Sequence, residues 1–86
     1  MTRPAIHPGE ILSEELTEIA VTPSELARQL RVPANRISLI VNEKRGITAD
    51  TAAGLCRYFG NSPQYWLNIQ NRFDLDRSTR PRLSGT

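Results

Sequence analysis

One cysteine, one histidine and no apolar run of membrane-spanning length bound the chemistry open to this 86-residue chain. The lone Cys56 excludes an intramolecular disulfide, and neither it nor His7 stands in a metal-ligand spacing, so no metal and no cofactor is expected. No set of acid, base and nucleophile can be assembled from this inventory, which makes an enzyme the least expected outcome. His7 then reads as a polar residue near a helix start, and Cys56 as packing. The N-terminal MTRPAIHPGE lacks the apolar run of a signal peptide, so the cytoplasm is the default location and no membrane partner is expected. There is no internal repeat and no alternating strand pattern. With 38% hydrophobic and 23% charged residues, the composition is that of one soluble domain whose core is thin but sufficient.

A net charge of +2 says little about partners, but its distribution says more. Glu10, Glu14, Glu15 and Glu18 crowd one early segment that has no base. Residues 22–60 carry Arg28, Arg31, Arg36, Lys44, Arg45 and Arg57 against Glu25, Glu43 and Asp50. The segment that collects the bases is also the most patterned. Thr22 to Asn42, TPSELARQLRVPANRISLIVN, reads as two short helices joined by a tight turn. Thr22 is positioned to cap the first, Pro23 suits its first turn, and Glu25 completes a capping box. Leu26, Ala27 and Leu30 form its inward face, with the small Ala27 where a second helix would cross closely. After a break at Arg31–Val32–Pro33, Ile37, Ile40 and Val41 supply the next apolar stripe. Ala34, Asn35, Arg36, Ser38 and Leu39 are left pointing outward. A second helix with such an outward face is what a helix-turn-helix needs to enter the DNA major groove.

The flanking segments read as support. A first helix runs from Pro8 to about Ala20, with Leu12, Leu16, Ile19 and Ala20 as its buried stripe. Glu10, Glu14 and Glu18 line another face, which is either solvated or a dock for a basic partner. Asn42–Gly46 breaks the pattern, with Gly46 as the tight-turn residue. Thr48 caps a fourth helix, Ala49 to Phe59, buried through Ala52, Leu55, Cys56 and Phe59 and ended by Gly60. A fifth helix starts at Pro63 and runs to about Asp76. The expected fold is therefore all-α, a compact five-helix domain over residues 1–77 with a disordered tail at 78–86.

Chemistry assigns roles to the outward residues. Arg36 has the fork to bond guanine O6 and N7 together, and Asn35 can do the same for adenine N6 and N7. Ser38 is ambiguous, and Leu39 suits a thymine methyl. Ser24 near the positive start of its helix, with Asn42, Lys44 and Arg45 leaving the second helix, suits phosphate contacts. Arg28 and Arg31 are weaker phosphate candidates. One monomer reads only a few base pairs, so a two-fold homodimer on double-stranded DNA is expected. Its contact is placed on the fifth helix around Trp66, Leu67 and Phe73, although Trp66 reads equally well as plain core.

The stretch LARQLRVPANRISLIVNEKRGIT resembles the Xre-type (lambda-repressor-like) helix-turn-helix. With HPGEILSEEL before it and GNSPQYWLNIQNRFDL after it, the chain is similar to HigA-type antitoxins of bacterial toxin–antitoxin modules, from about Ile6 to Asp76. The resemblance implies a five-helix, usually dimeric protein that binds an operator in its own promoter. It also implies a HigB-like ribonuclease toxin of the RelE type as second partner. Two residues depart from the family pattern. Arg31 stands where the turn usually has Gly, so it must take an unusual backbone conformation, and Pro33 replaces the Ser or Thr cap. Two other readings share this fold: an Xre-type regulator without a toxin, and a protein-binding module that uses the acidic first helix.

Overall fold

Where the helices start follows from side-chain acceptors that satisfy first-turn N–H groups. Thr22 Oγ1 accepts the Glu25 N–H at 3.1 Å, Thr48 Oγ1 the Thr51 N–H at 3.4 Å, and Ser62 Oγ the Tyr65 N–H at 3.1 Å. In the computed structural model, which describes residues 5–79, five helices result: α1 (Pro8–Glu18), α2 (Pro23–Leu30), α3 (Ala34–Val41), α4 (Ala49–Phe59) and α5 (Pro63–Thr79). The fold is all-α, as expected, and no helix among the described residues is long and apolar enough to cross a membrane. The start of α1 departs from the simple reading of His7. Its Nδ1 accepts the Gly9 N–H at 2.8 Å, so the imidazole is the N-cap; it is buried, with its ring edge-on to Phe73 at 4.8 Å. The capping box at Glu25 is also corrected. Its carboxylate turns to Arg28, 2.7 Å from Nη2, an exposed pair that contributes little to stability.

Helix ends differ more from expectation. α1 stops at Glu18 rather than about Ala20, because Ala20 adopts a left-handed conformation at φ 58°. The Ala20 and Val21 N–H groups then bond the Thr17 and Leu16 carbonyls, closing a Schellman motif. Ile19 and Ala20 therefore lie exposed instead of in the stripe. The same motif ends α2 at Arg31 (φ 60°) and α3 at Glu43 (φ 60°). The left-handed residue of the α3–α4 turn is thus Glu43, not Gly46. Gly60 (φ 79°) ends α4 as expected. α5 runs past Asp76 to Thr79, so Ser78 and Thr79 are helical; residues 80–86 of the expected tail lie outside the described residues.

The core gathers Leu12 and Leu16 of α1, Leu26 and Ala27 of α2, Ile37 and Ile40 of α3, Ile47, Ala52 and Leu55, and Trp66 of α5. Cys56 and Phe59, expected in the α4 stripe, are only half-buried. α2 packs on α3 across the fully buried Ala27, α1 packs on α3 and α5, and α4 on α5 and α2. The α1–α3 contact is backbone against backbone: a Cβ on Gly9 would overlap the carbonyl oxygen of Ile40.

This contact yields a test by sign. On an isolated helix Gly→Ala stabilises by up to about 1 kcal/mol. Gly9→Ala should instead destabilise this protein by about 1–3 kcal/mol, because a fixed carbonyl must move. Chemical denaturation reads the difference, and a stabilised variant would refute the close approach.

Candidate nucleic-acid interface

The α2–turn–α3 unit begins at a helix start with one donor left over. Pro23 has no N–H, the Glu25 N–H is held by Thr22 Oγ1, and the Leu26 N–H by the Thr22 carbonyl at 3.0 Å. Among the described residues the Ser24 N–H is the remaining donor of that turn, beside an exposed hydroxyl. A helix N-terminus with a free N–H and a hydroxyl is suited to a phosphate oxygen.

The turn is made by Arg31 and Val32. Arg31 takes φ 60° and ψ 43°, the conformation that its departure from glycine requires, and its N–H bonds the Arg28 carbonyl at 3.2 Å. Val32, half-buried, bonds the Ala27 carbonyl at 3.0 Å and packs against the core. α3 then starts at Pro33 with no side-chain cap, as its sequence implies. Ile37 and Ile40 are fully buried, which turns the opposite side of α3 outward. Asn35 is exposed there and Ala34 is exposed at its margin, while Ser38 and Leu39 are half-buried and Arg36, also half-buried, lies on the flank one turn before Ile40. Ser38 Oγ donates to the Asn35 carbonyl at 3.2 Å. Arg36 makes no ion pair among the described residues, so its guanidinium donors remain available.

Beyond α3 the chain presents further donors. Asn42 Nδ2 donates one hydrogen to the Ser38 carbonyl at 2.8 Å, which leaves its second. Lys44 and Arg45 are exposed and without ion pairs among the described residues. Arg28, by contrast, is paired with Glu25, and Arg31 is exposed at the α2 C-terminus, where its charge meets the negative helix end. Among the described residues, the candidates that keep an available donor are therefore Ser24, Asn35, Arg36, Asn42, Lys44 and Arg45, whereas the Ser38 hydroxyl is committed to the Asn35 carbonyl. On α1, Glu10, Glu14 and Glu18 are all exposed.

α5 resolves what the residues left open. Trp66 is fully buried, its Nε1 donating to Asn61 Oδ1 at 3.0 Å, so it belongs to the core of the monomer. Leu67 packs on that core, and Phe73 is half-buried between His7 and Arg77, whose guanidinium lies 5.5 Å from the ring. The large apolar side chains that α5 exposes are Tyr65 and Leu75. Sequence reasoning missed Gln70, half-buried, whose Oε1 accepts the Ile47 N–H at 2.6 Å. No periodicity argument marks a polar residue on an inner helix face as the anchor of a distant loop.

Comparison with known proteins places this geometry. A family model described as a Cro/C1-type HTH DNA-binding domain matches residues 8–64. The chain is similar to virulence-associated protein I of Dichelobacter nodosus, 51% identical over 94% of this chain and 76% of that one. Among solved structures it is similar to an addiction module antidote protein of a HigA family from Coxiella burnetii. There the TM-score is 0.86 at 44% identity, covering 88% of this chain and 84% of that one. It is also similar to the Pseudomonas aeruginosa antitoxin HigA solved with the higBA promoter, at TM-score 0.84 and 48% identity over 86% and 82% of the two chains.

The strained turn carries its own prediction. Left-handed backbone costs a non-glycine residue roughly 1–2 kcal/mol, part of which glycine gives back as extra unfolded-state entropy. Arg31→Gly should therefore raise stability by about 0.5–1 kcal/mol in thermal or denaturant unfolding. A loss of stability would mean that the Arg31 side chain, not its backbone, holds the turn.

Proposed function

The chain belongs to the Cro/C1-type helix-turn-helix family and, within it, to the HigA antitoxins, and from that premise we propose what it binds. It binds the operator of its own operon as a homodimer, represses that operon, and neutralises a HigB/RelE-type ribonuclease toxin by forming a complex with it. It acts in the cytoplasm, by binding and not by catalysis. The observation that carries the DNA reading is the outward side of α3: an exposed Asn35, flanked by a half-buried Arg36 that makes no ion pair among the described residues, is presented by a helix whose other side is locked in the core.

The roles follow from reach and chemistry. Asn35 and Arg36 read base edges by bidentate bonds, Ser38 and Leu39 contribute at their margins, and Ala34 permits close approach. Ser24, Asn42, Lys44 and Arg45 contact phosphates, supplying affinity without sequence preference. The homodimer forms through the outer side of α5. Trp66 supports that helix from inside the core, so Tyr65 replaces it as the candidate contact. The exposed acidic side of α1 suits a basic toxin.

Fluorescence anisotropy with a labelled duplex from upstream of the gene tests this. Arg36→Ala should lower operator affinity by about 1–3 kcal/mol and relax preference at one base pair. Lys44→Ala should weaken all sequences alike and reduce the log–log salt slope by about one. Equal losses on every sequence for Arg36→Ala would move Arg36 to the phosphates. For the toxin, a small basic RelE-like chain from the neighbouring gene should co-purify with this one. Charge reversal at Glu14 and Glu18 should weaken that capture, and unchanged capture would place the toxin elsewhere.

A further inference from the structure

The loop between α3 and α4 carries Lys44 and Arg45, yet little in its own backbone holds it. The Lys44 N–H closes the end of α3 on the Leu39 carbonyl at 2.8 Å, and α4 begins under the Thr48 cap. Between those points the Ile47 N–H is bound by a side chain from 23 residues away, Gln70 of α5. Its Oε1 accepts that N–H at 2.6 Å, while its Nε2 donates to Asp74 Oδ1 at 3.0 Å, one turn further along α5. The two partners have opposite needs, so they fix which end of the amide faces the loop. The loop backbone also lies directly on this amide. A Cβ on Gly46 would sit 2.8 Å from Gln70 Oε1 and 3.0 Å from its Cδ and Nε2. Gly46, with no positive φ, is thus needed for close approach and not for the turn. Ile47, 5% exposed, anchors the same point in the core.

We infer that Gln70 is a positioning residue for DNA binding, pegging the α3–α4 loop to α5 so that Lys44 and Arg45 leave it at a fixed place for phosphate contact. This rests on the reading of the chain as a DNA binder. Asp74 belongs to the same device, because it orients the amide. The loop's cations are exposed and unpaired among the described residues, so nothing in their own side chains fixes them. The peg supplies that order before DNA arrives, and α5 becomes mechanically connected to the backbone-contacting loop.

The test uses the full chain, the labelled upstream duplex over a range of salt, thermal unfolding, and amide exchange at Ile47. Gln70→Met removes the acceptor at nearly constant volume. Gly46→Ala dislodges the same amide from the loop side. Each should lower affinity roughly tenfold at physiological salt and flatten the salt slope by about one to two, and the pair combined should lose little more than either alone. Gln70→Glu with Asp74→Asn exchanges which residue carries the NH2 while keeping an acceptor toward Ile47. It should restore both the slope and Ile47 protection. If Gln70→Met and Gly46→Ala lower the melting temperature but leave the slope unchanged, Gln70 only satisfies a buried N–H and the proposal fails. If Lys44→Ala with Arg45→Ala also leaves the slope unchanged, the loop does not touch phosphate, and the proposal falls while base reading by α3 stands. Absence of specific binding by the unmodified chain would overturn the DNA reading and the proposal together. Should Gln70→Met not fold, Gly46→Ala and the exchange pair decide between these outcomes.

Discussion

Burial of Ile37 and Ile40 is the interaction on which the other parts of the structure depend. α3 has eight residues, fewer than a helix needs to persist alone in water, and it has no side-chain cap at Pro33. Its stability is therefore tertiary. Full burial of each isoleucine contributes roughly 1.5–3 kcal/mol, and both are fully inside the core. Leu26 and Ala27 receive them from α2, and Gly9 lets the α1 backbone close on the Ile40 carbonyl. One side of α3 carries the energy, and the other is free to carry donors. That division leaves Asn35 and Arg36 available for the proposed recognition, since neither is among the buried residues that hold the fold together.

The short connections around α3 are made at a conformational cost. Ala20, Arg31 and Glu43 all take the left-handed backbone that glycine prefers, each at roughly 1–2 kcal/mol. Each closes a Schellman motif that satisfies two terminal carbonyls, and Val21 and Val32 follow the first two as half-buried anchors. The chain thereby reverses direction within two or three residues and keeps α1, α2 and α3 in contact. A further constraint comes from α5, whose Gln70 holds Ile47, so that the loop after α3 is set from both of its ends.

Much of this was legible in the residues. Thr22, Thr48, Ser62 and Gly60 mark helix boundaries by local chemistry, and the Leu26–Ile40 stripe marks the paired helices by period. Arg31 was legible as a strained position, since the family pattern has glycine there. Ala20 and Glu43 were not, because nothing local marks a non-glycine residue for the left-handed region; packing of the next helix selects it. Assigning the turn to Gly46 failed for a related reason: glycine is also required where another element approaches, and Gln70 is that element. His7 was underestimated because its burial comes in part from Phe73, which packs on the ring from a position distant in sequence. Trp66 was ambiguous because period alone does not tell a core face from a partner face, whereas complete burial in the monomer does. The outward residues of α3 were legible by elimination, once the inward ones were known.

The proposed recognition surface draws on the base-rich segment from Ser24 through α3 to Arg45, and the acidic side lies on α1. Amide chemical-shift mapping of the full chain, titrated with a duplex from upstream of its gene, tests that separation most directly. The predicted result is that the largest changes fall on Ser24, on residues 34–38 and on residues 42–47, with Glu10, Glu14 and Glu18 little affected. Changes centred on α1, with α3 undisturbed, would contradict it.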